Sequence, residues 1–153
     1  MSDYEAIRNL CAEYTFRLDD GDFAGVGELL RDAVLRPAMA GVRAAGLRGS
    51  DEIENFYRLQ VITYKNGKPM TRHLLNNHSI TIDDTATEAS SRCYFTVLQR
   101  PPGLPYQIVV GGQYFDRFLK RDGAWSFAEK VIQVDHLNAI EHHFRISDGH
   151  AQP

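Results

Sequence analysis

The sequence predicts an α+β domain in which helices pack on one face of a curved antiparallel sheet. Apolar residues recur at intervals of three and four over about the first sixty positions, which is the period of amphipathic helices. From about residue 71 the period changes to two, which is typical of strands with one buried face. The chain has 153 residues and is 43% hydrophobic, enough for one domain with a sizeable core. We therefore expect three N-terminal helices packed on a sheet that curves into a cone.

The helices are expected in the first part of the chain. The stripe that predicts the first one consists of Ile7, Leu10, Cys11, Tyr14 and Leu18. Gly21 is suited to end this helix in a left-handed conformation, and Asp22 can then cap a second helix. A third helix, capped by the run Ser50 to Glu52, is expected to continue to about Thr63. Residues 31–49 are expected to hold one or two short strands.

Four long strands should follow. Apolar alternation indicates strands at about 71–82, 94–98, 106–119 and 125–134. Turn residues separate them, so the last three should form an antiparallel meander. Gly111 and Gly112 lie inside the third of these strands and suggest a bend or a close contact with another backbone. The last dozen residues are expected to be frayed, and the single domain 1–153 to consist of a core of about 3–135 and a C-terminal tail, 136–153.

Charge and cysteine content narrow the functional classes. Seventeen Lys and Arg residues against 20 Asp and Glu residues give a net charge of −3, which argues against nucleic acid as a partner. No apolar stretch reaches the length of a membrane span, and no signal peptide is visible, so we expect no membrane partner. Two cysteines, Cys11 and Cys93, are too few for a disulfide framework, which favours a cytoplasmic location.

The sequence contains no motif typical of a metal site or of a catalytic nucleophile. Five residues near the C-terminus invite a metal site: His136, Glu141, His142, His143 and His150. No pair among them has the spacing of a known zinc motif, so we expect no metal and no cofactor. Neither a glycine-rich phosphate loop nor a serine-hydrolase elbow is present.

The ionisable residues that point into the cone are the candidates for a site. At 100° per residue, Asp19 borders the apolar stripe of the first helix whereas Asp20 faces away from it. Tyr14 lies on the stripe itself. The alternative interpretations are that Asp19 simply ends the helix in a turn and that Tyr14 is a core residue.

The first long strand holds two histidines whose orientation strict alternation does not settle. His78 shares the parity of the apolar residues that follow it, whereas His73 has the opposite parity. Either His73 faces outward, or a bulge at Asn76 or Asn77 brings it to the face of those apolar residues. A structural role is the alternative for either residue. The candidates for lining a pocket are Asn76, His78, Tyr114 and Phe56.

The chain resembles the SnoaL-like group of the nuclear-transport-factor-2-like superfamily over roughly residues 3–135. The resemblance rests on Tyr14, Asp19, Gly21-Asp22-Phe23, Gly49, Thr71-Arg72-His73, Asn76 or Asn77, Gly112 to Arg117 and Asp122 to Trp125. It implies a cystatin-like α+β roll, which is the same cone. Members of that group include dehydratases, a dehydrochlorinase, polyketide cyclases and ketosteroid isomerase, so the fold alone does not fix the reaction. Tyr14, Asp19 and His73 look like the residues that the dehydratase and dehydrochlorinase branch uses, which favours His73 over His78.

The leading hypothesis is a cofactor-independent lyase or isomerase acting on a small, apolar, cyclic molecule. His73 would be the base, Asp19 would orient it and stabilise its imidazolium form, and Tyr14 would donate a hydrogen bond to a developing oxyanion. One alternative is a non-catalytic module for binding or assembly, and another is a proton shuttle like that of ketosteroid isomerase with Asp19 as the base. The resemblance also implies a homo-oligomer, a dimer or a trimer.

Overall fold

The helices of the computed structural model lie at the positions that the spacing predicts. The structure describes residues 1–39, 42–43 and 46–145. The helices are α1 (Asp3–Asp20), α2 (Phe23–Leu29) and α3 (Ser50–Gln60). All three precede the long strands, as expected. The part of the predicted frayed tail beyond residue 145 lies outside the described residues.

Local sequence explains where α1 and α2 begin and end. Ser2 and Glu5 form a reciprocal capping box at the start of α1. Gly21 ends α1 with φ 74°, and a Cβ atom at this position would lie 2.2 Å from the carbonyl oxygen of Gly67. Both the positive φ and this close approach require glycine. The Asp22 side chain then accepts a hydrogen bond from the Gly25 amide and caps α2.

The ends of α3 differ from the prediction. Its N-cap residue is Gly49, with φ 80° and no side-chain hydrogen bond, so the expected side-chain cap is wrong. The helix ends at Gln60 rather than near Thr63, because Val61 is already extended and forms a β-bridge with Phe144. This tertiary pairing competes with the helix at its last turn.

Four long strands and three short ones form a single sheet. They are β1 (Val34–Met39), β2 (Val42–Arg43), β3 (Leu47–Arg48), β4 (Thr71–Ile82), β5 (Glu88–Gln99), β6 (Gln107–Arg121) and β7 (Ala124–Leu137). Their order is β2-β1-β7-β6-β5-β4, with β3 pairing β1. Strands β4, β5, β6 and β7 pair antiparallel with one another in chain order, so the predicted meander is confirmed.

The expectation of a wholly antiparallel sheet is wrong at one pair. Strand β1 runs parallel to β7 over six residue pairs. A long stretch of chain separates the two strands, and such a connection permits a parallel pairing that a short hairpin forbids. Side-chain periodicity carries no information on strand direction, so the sheet is mixed although the α+β fold class is confirmed.

Bulges curve the sheet around the helices. The β6–β7 register shifts between Gly111 and Gly112, where a Cβ atom on Gly112 would lie 2.1 Å from the carbonyl oxygen of Gln133. The predicted close backbone contact is therefore confirmed at Gly112. A second shift follows between Arg117 and Phe118. Bulges increase local twist and bend a strand, which lets the sheet wrap α1.

One apolar core fills the space between the helices and the sheet. Its largest fully buried side chains include Tyr14, Ile7, Leu30, Ile53, Phe118 and Phe127. Both cysteines, Cys11 and Cys93, lie in this core with free thiols. Among the described residues, no helix is both long and apolar enough to cross a membrane.

Candidate active site

The last turn of α1 places Asp19 at the edge of the core. Its side chain is only 8% exposed, whereas Asp20 points outward to Lys68 at 2.5 Å. The helix ends directly after these residues because Gly21 turns the chain. Asp19 is thus held by a helix that is anchored at both ends.

A bulge in β4 turns His73 toward Asp19. The pairing of β4 with β5 shifts register between Asn76 and Ser79, and Asn77 has φ 52°. The predicted bulge is therefore confirmed. It resets the alternation, so that His73 before it and His78 after it both face the helices.

Three hydrogen-bond donors surround the Asp19 carboxylate. Thr71 Oγ1 donates to Asp19 Oδ1 at 2.7 Å, and the His73 backbone amide donates to Oδ2 at 2.9 Å. His73 Nδ1 lies 2.7 Å from Oδ1. Since an ionised carboxylate only accepts, Nδ1 carries a proton in this contact. His73 Nε2 makes no hydrogen bond to any other described residue and is available to accept a proton.

These donors determine the ionisation of Asp19. Burial alone would raise the pKa of this carboxyl, but the hydrogen bonds and charge of His73, together with the Thr71 hydroxyl, lower it below its usual range. Asp19 is therefore ionised near neutral pH. A buried carboxylate in this state both orients the imidazole and stabilises its protonated form.

Tyr14 meets a second tyrosine rather than the Asp19–His73 pair. Its hydroxyl lies 2.6 Å from that of Tyr57, which α3 contributes, and its ring packs edge-on against Tyr114. Burial raises the pKa of both Tyr14 and Tyr57, so both hydroxyls stay protonated. Sequence reasoning missed this contact between α1 and α3.

The deepest polar contact is an ion pair that the sequence did not reveal. Lys130 Nζ lies 3.1 Å from both carboxylate oxygens of Asp116, and both side chains are fully buried. The ammonium also lies 3.8 Å from the ring centre of Tyr114 and 4.2 Å from that of Tyr14. Burial raises the pKa of Asp116, and Lys130 only partly offsets it. Opposite Arg117 and Phe118, β7 contains one extra residue, so the alternation of its side chains reverses there. Counted from the start of β7, Lys130 would face outward, but after this bulge it faces the core.

His78 lies at a different level of the helix from His73. Its Nε2 approaches Cys11 Sγ at 3.9 Å, and Cys11 precedes Asp19 by eight residues, or about 12 Å of helix. Burial, with the charges of Arg8 and Lys130, lowers the pKa of His78. Both histidines therefore face inward, but only His73 contacts a carboxylate.

The three remaining candidates for lining a pocket do not surround a cavity: one lies on the surface, and two pack with the core. Asn76 is exposed, so its prediction is wrong: the bulge begins after it and its side chain faces outward. Tyr114 is buried and stacks on Phe95 with ring centres 4.2 Å apart. Phe56 packs edge-on against Tyr57 at 5.2 Å. Aromatic side chains thus fill the cone behind the Asp19–His73 pair.

Two concavities of the described surface lie elsewhere. A groove of about 1030 Å³ runs across the sheet and is lined by side chains that include Ser79, Thr81, Arg92, Phe115 and Gln133. A smaller one, of about 300 Å³, is lined in part by Leu29 and Trp125. Neither Asp19 nor His73 lines either of them.

The C-terminal segment covers the region next to the Asp19–His73 pair. After β7, a 3-10 turn (Ile140–His142) leads into residues 143–145, which pair with the end of α3. The His142 carbonyl accepts hydrogen bonds from Tyr64 Oη at 2.8 Å and from Gln99 Nε2 at 3.0 Å. The prediction that this part of the tail frays is wrong, because backbone pairing and these two donors hold it.

Comparisons with known proteins agree with this fold. A family model for the SnoaL-like domain matches residues 1–131. No curated protein matches the chain. Among solved structures, a nuclear-transport-factor-2-like protein with a cystatin-like fold from Novosphingobium aromaticivorans has a TM-score of 0.67 at 20% identity. That alignment covers 90% of this chain and 84% of the other.

Two further structures from the same organism are similar. A provisionally named scytalone dehydratase has a TM-score of 0.66 at 21% identity, covering 98% of this chain and 89% of its own. The β subunit of a provisionally named aromatic-ring-hydroxylating dioxygenase has a TM-score of 0.69 at 20% identity, covering 93% and 95%. At these identities the likeness establishes the fold alone.

Proposed function

This chain belongs to the SnoaL-like domain family, and we propose that it is a cofactor-independent lyase or isomerase of a small, apolar, cyclic, oxygenated or halogenated molecule. The observation that carries the proposal is the buried contact between Asp19 and His73 Nδ1, which leaves Nε2 free. Similarity to the scytalone dehydratase structure supports the same class of reaction.

His73 acts as the general base in this proposal. Its Nε2 takes a proton from a carbon next to a carbonyl group; the electron pair of the broken C–H bond forms a C=C bond, and the π electrons of the carbonyl move to its oxygen. Asp19 stabilises the resulting imidazolium. The enolate then re-forms the carbonyl in one of two ways: it expels a leaving group from the next carbon, which takes the proton from His73 and completes an elimination, or it takes the proton back at another carbon, which completes an isomerisation.

Tyr14 and Tyr57 supply a hydrogen-bond donor for the developing charge. Two hydroxyls that share one hydrogen bond use one O–H group between them, so the second O–H remains available. A donor held in place by packing stabilises an oxyanion without reorganising during the reaction. Tyr14 therefore keeps its proposed role, now as half of a tyrosine pair.

The test measures proton abstraction directly, without knowledge of the natural substrate. The probe is 2-tetralone, an apolar cyclic ketone, whose C–H groups next to the carbonyl exchange with D₂O and are followed by NMR. We expect the wild type to accelerate exchange, and His73→Ala to lower the rate by about 10²- to 10⁴-fold, the usual contribution of a general base. Asp19→Asn should lower it by about 10²-fold.

His136→Ala is the matched control, because His136 is an exposed histidine on β7. It should leave exchange unchanged. Wild-type exchange no faster than that of the His73→Ala variant would overturn the proposal. Retention of exchange in His73→Ala together with its loss in Asp19→Asn would instead identify Asp19 as the base, as in the ketosteroid-isomerase-like alternative. The three hydrogen bonds that occupy Asp19 argue against this alternative.

A module for binding or assembly is the second candidate. The observations that favour it are the aromatic filling of the cone and the broad groove across the sheet, where further copies in a homo-oligomer would pack. The similar β subunit is itself, by its name, part of a larger assembly. Absence of exchange in the wild type would favour this candidate.

A further inference from the structure

His143 is the second buried histidine near the Asp19–His73 pair, and the proposed mechanism does not use it. Its side chain belongs to a residue that is 5% exposed, and its Nδ1 atom is buried without a hydrogen-bond partner among the described residues. A buried polar atom in this condition is rare in folded proteins and marks a place where a further polar group belongs.

The backbone around His143 is fixed. The His143 amide donates to the Ile140 carbonyl at 2.9 Å, and the His143 carbonyl accepts from the Ile62 amide at 2.9 Å. Arg145 donates to the Gln60 carbonyl at 2.8 Å. The imidazole is therefore presented from an ordered segment, which lowers the conformational cost of using it to bind a ligand.

Contacts across β4 and β5 place this segment beside the Asp19–His73 pair. Thr71, which donates to Asp19, is the direct cross-strand partner of Gln99. Gln99 in turn donates to the carbonyl of His142, the residue before His143. Gln99 Oε1 is also buried without a hydrogen-bond partner among the described residues.

The charge state of His143 suits a neutral ligand. Burial, followed by the nearby charge of His73, lowers the pKa of His143 to about 4, while Asp19 opposes the shift. The ring is neutral at pH 7, so one nitrogen donates and the other accepts. A neutral imidazole next to His73 also leaves the imidazolium of His73 without a competing positive charge.

We propose that His143 is a substrate-binding residue that hydrogen-bonds to the oxygen of the cyclic substrate while His73 faces its acidic C–H group. This inference takes its substrate class from the proposed function. It makes the C-terminal segment part of the site and assigns it selectivity for oxygenated over purely hydrocarbon ligands.

The test compares two probes of similar shape, one with a hydroxyl group and one without it. The probes are 2-naphthol, which resembles the enol of 2-tetralone, and 2-methylnaphthalene. We expect the wild type to bind 2-naphthol about tenfold more tightly, as judged by fluorescence titration, because one more hydrogen bond forms. His143→Ala should reduce this preference to less than about threefold without weakening 2-methylnaphthalene binding, and His143→Gln should retain part of it.

His142→Ala is the matched control, since His142 is the half-exposed histidine of the same turn. It should leave the preference unchanged. A preference that persists in a folded His143→Ala variant, or a wild type without preference, would overturn the inference. The exchange assay separates the two proposals: a hydroxyl preference that depends on His143, in a wild type that does not accelerate exchange, supports this site and contradicts the general-base function.

Discussion

The Asp19–His73 pair at the end of α1 and the Asp116–Lys130 pair in the middle of the sheet are both buried contacts between a carboxylate and a basic side chain. They differ in what the contact leaves free. Asp19 uses its oxygens to hold one nitrogen of His73 and leaves the other nitrogen unbonded. Asp116 and Lys130 satisfy each other among aromatic rings.

The pKa directions of the two carboxyls differ in the same way. Donors from three groups lower the pKa of Asp19 despite its burial, whereas burial raises the pKa of Asp116 despite Lys130. Proximity of opposite charges is thus not enough to identify a reactive site. The number of donors and the presence of an unbonded basic atom distinguish the two pairs.

The largest effect on stability is expected at the deep pair. Lys130→Met should lower the free energy of unfolding by about 3–5 kcal/mol, because it leaves Asp116 buried without its partner. The double variant Lys130→Met with Asp116→Leu should recover most of the loss, since both charges are then replaced by apolar groups. Urea unfolding measures both values. Equal stability of the single variant and the wild type would contradict the assignment of a desolvated ion pair.

A smaller effect is expected when one donor of the Asp19 carboxylate is removed. Thr71→Val keeps the shape of the side chain but removes the hydroxyl that donates to Asp19. We expect 2-tetralone exchange to slow by about threefold to tenfold and stability to fall by about 1–3 kcal/mol. Thr81→Val, an exposed substitution on the same strand, is the control and should change neither quantity. Unchanged exchange in Thr71→Val would show that the two donors from His73 are enough for Asp19 to support exchange.

The smallest effect concerns pH. Because the folded-state pKa of Asp19 is lowered, its stabilising contribution is complete above about pH 4 and is lost as the pH falls through the folded-state value. The stability difference between the wild type and Asp19→Asn should therefore be smaller at pH 3 than at pH 5. Urea unfolding at these two pH values measures it. A difference that grows toward pH 3 would contradict the direction of the shift.

The sequence predicted the fold class, the long strands and the bulge in β4, because apolar period and turn residues are local signals. Helix periodicity also placed Asp19 at the border of the buried stripe, and the family resemblance implied His73 as its partner. The catalytic roles of both residues stay predictions. Their contact depends on a bulge that parity required if both His73 and the following isoleucines were to face inward.

The missed features depend on tertiary contacts. Lys130 is buried because a bulge in β7 reverses the alternation. His143 is buried because the chain after β7 returns to pair with α3. The parallel pairing of β1 with β7 likewise has no local signature. In each case the deciding partner is remote in sequence, so no nearby pattern records it.

The single extra residue at the β4 bulge divides that strand into two halves, and the side-chain alternation starts anew in the second half. Deletion of one residue there would restore strict alternation, so the side chains in one half of β4 would point to the opposite face of the sheet. The imidazole of His73 and the isoleucines beyond it would then compete for the interior. In related domains, a one-residue insertion or deletion at this position would therefore separate the His73 imidazole from Asp19 with every other amino acid unchanged.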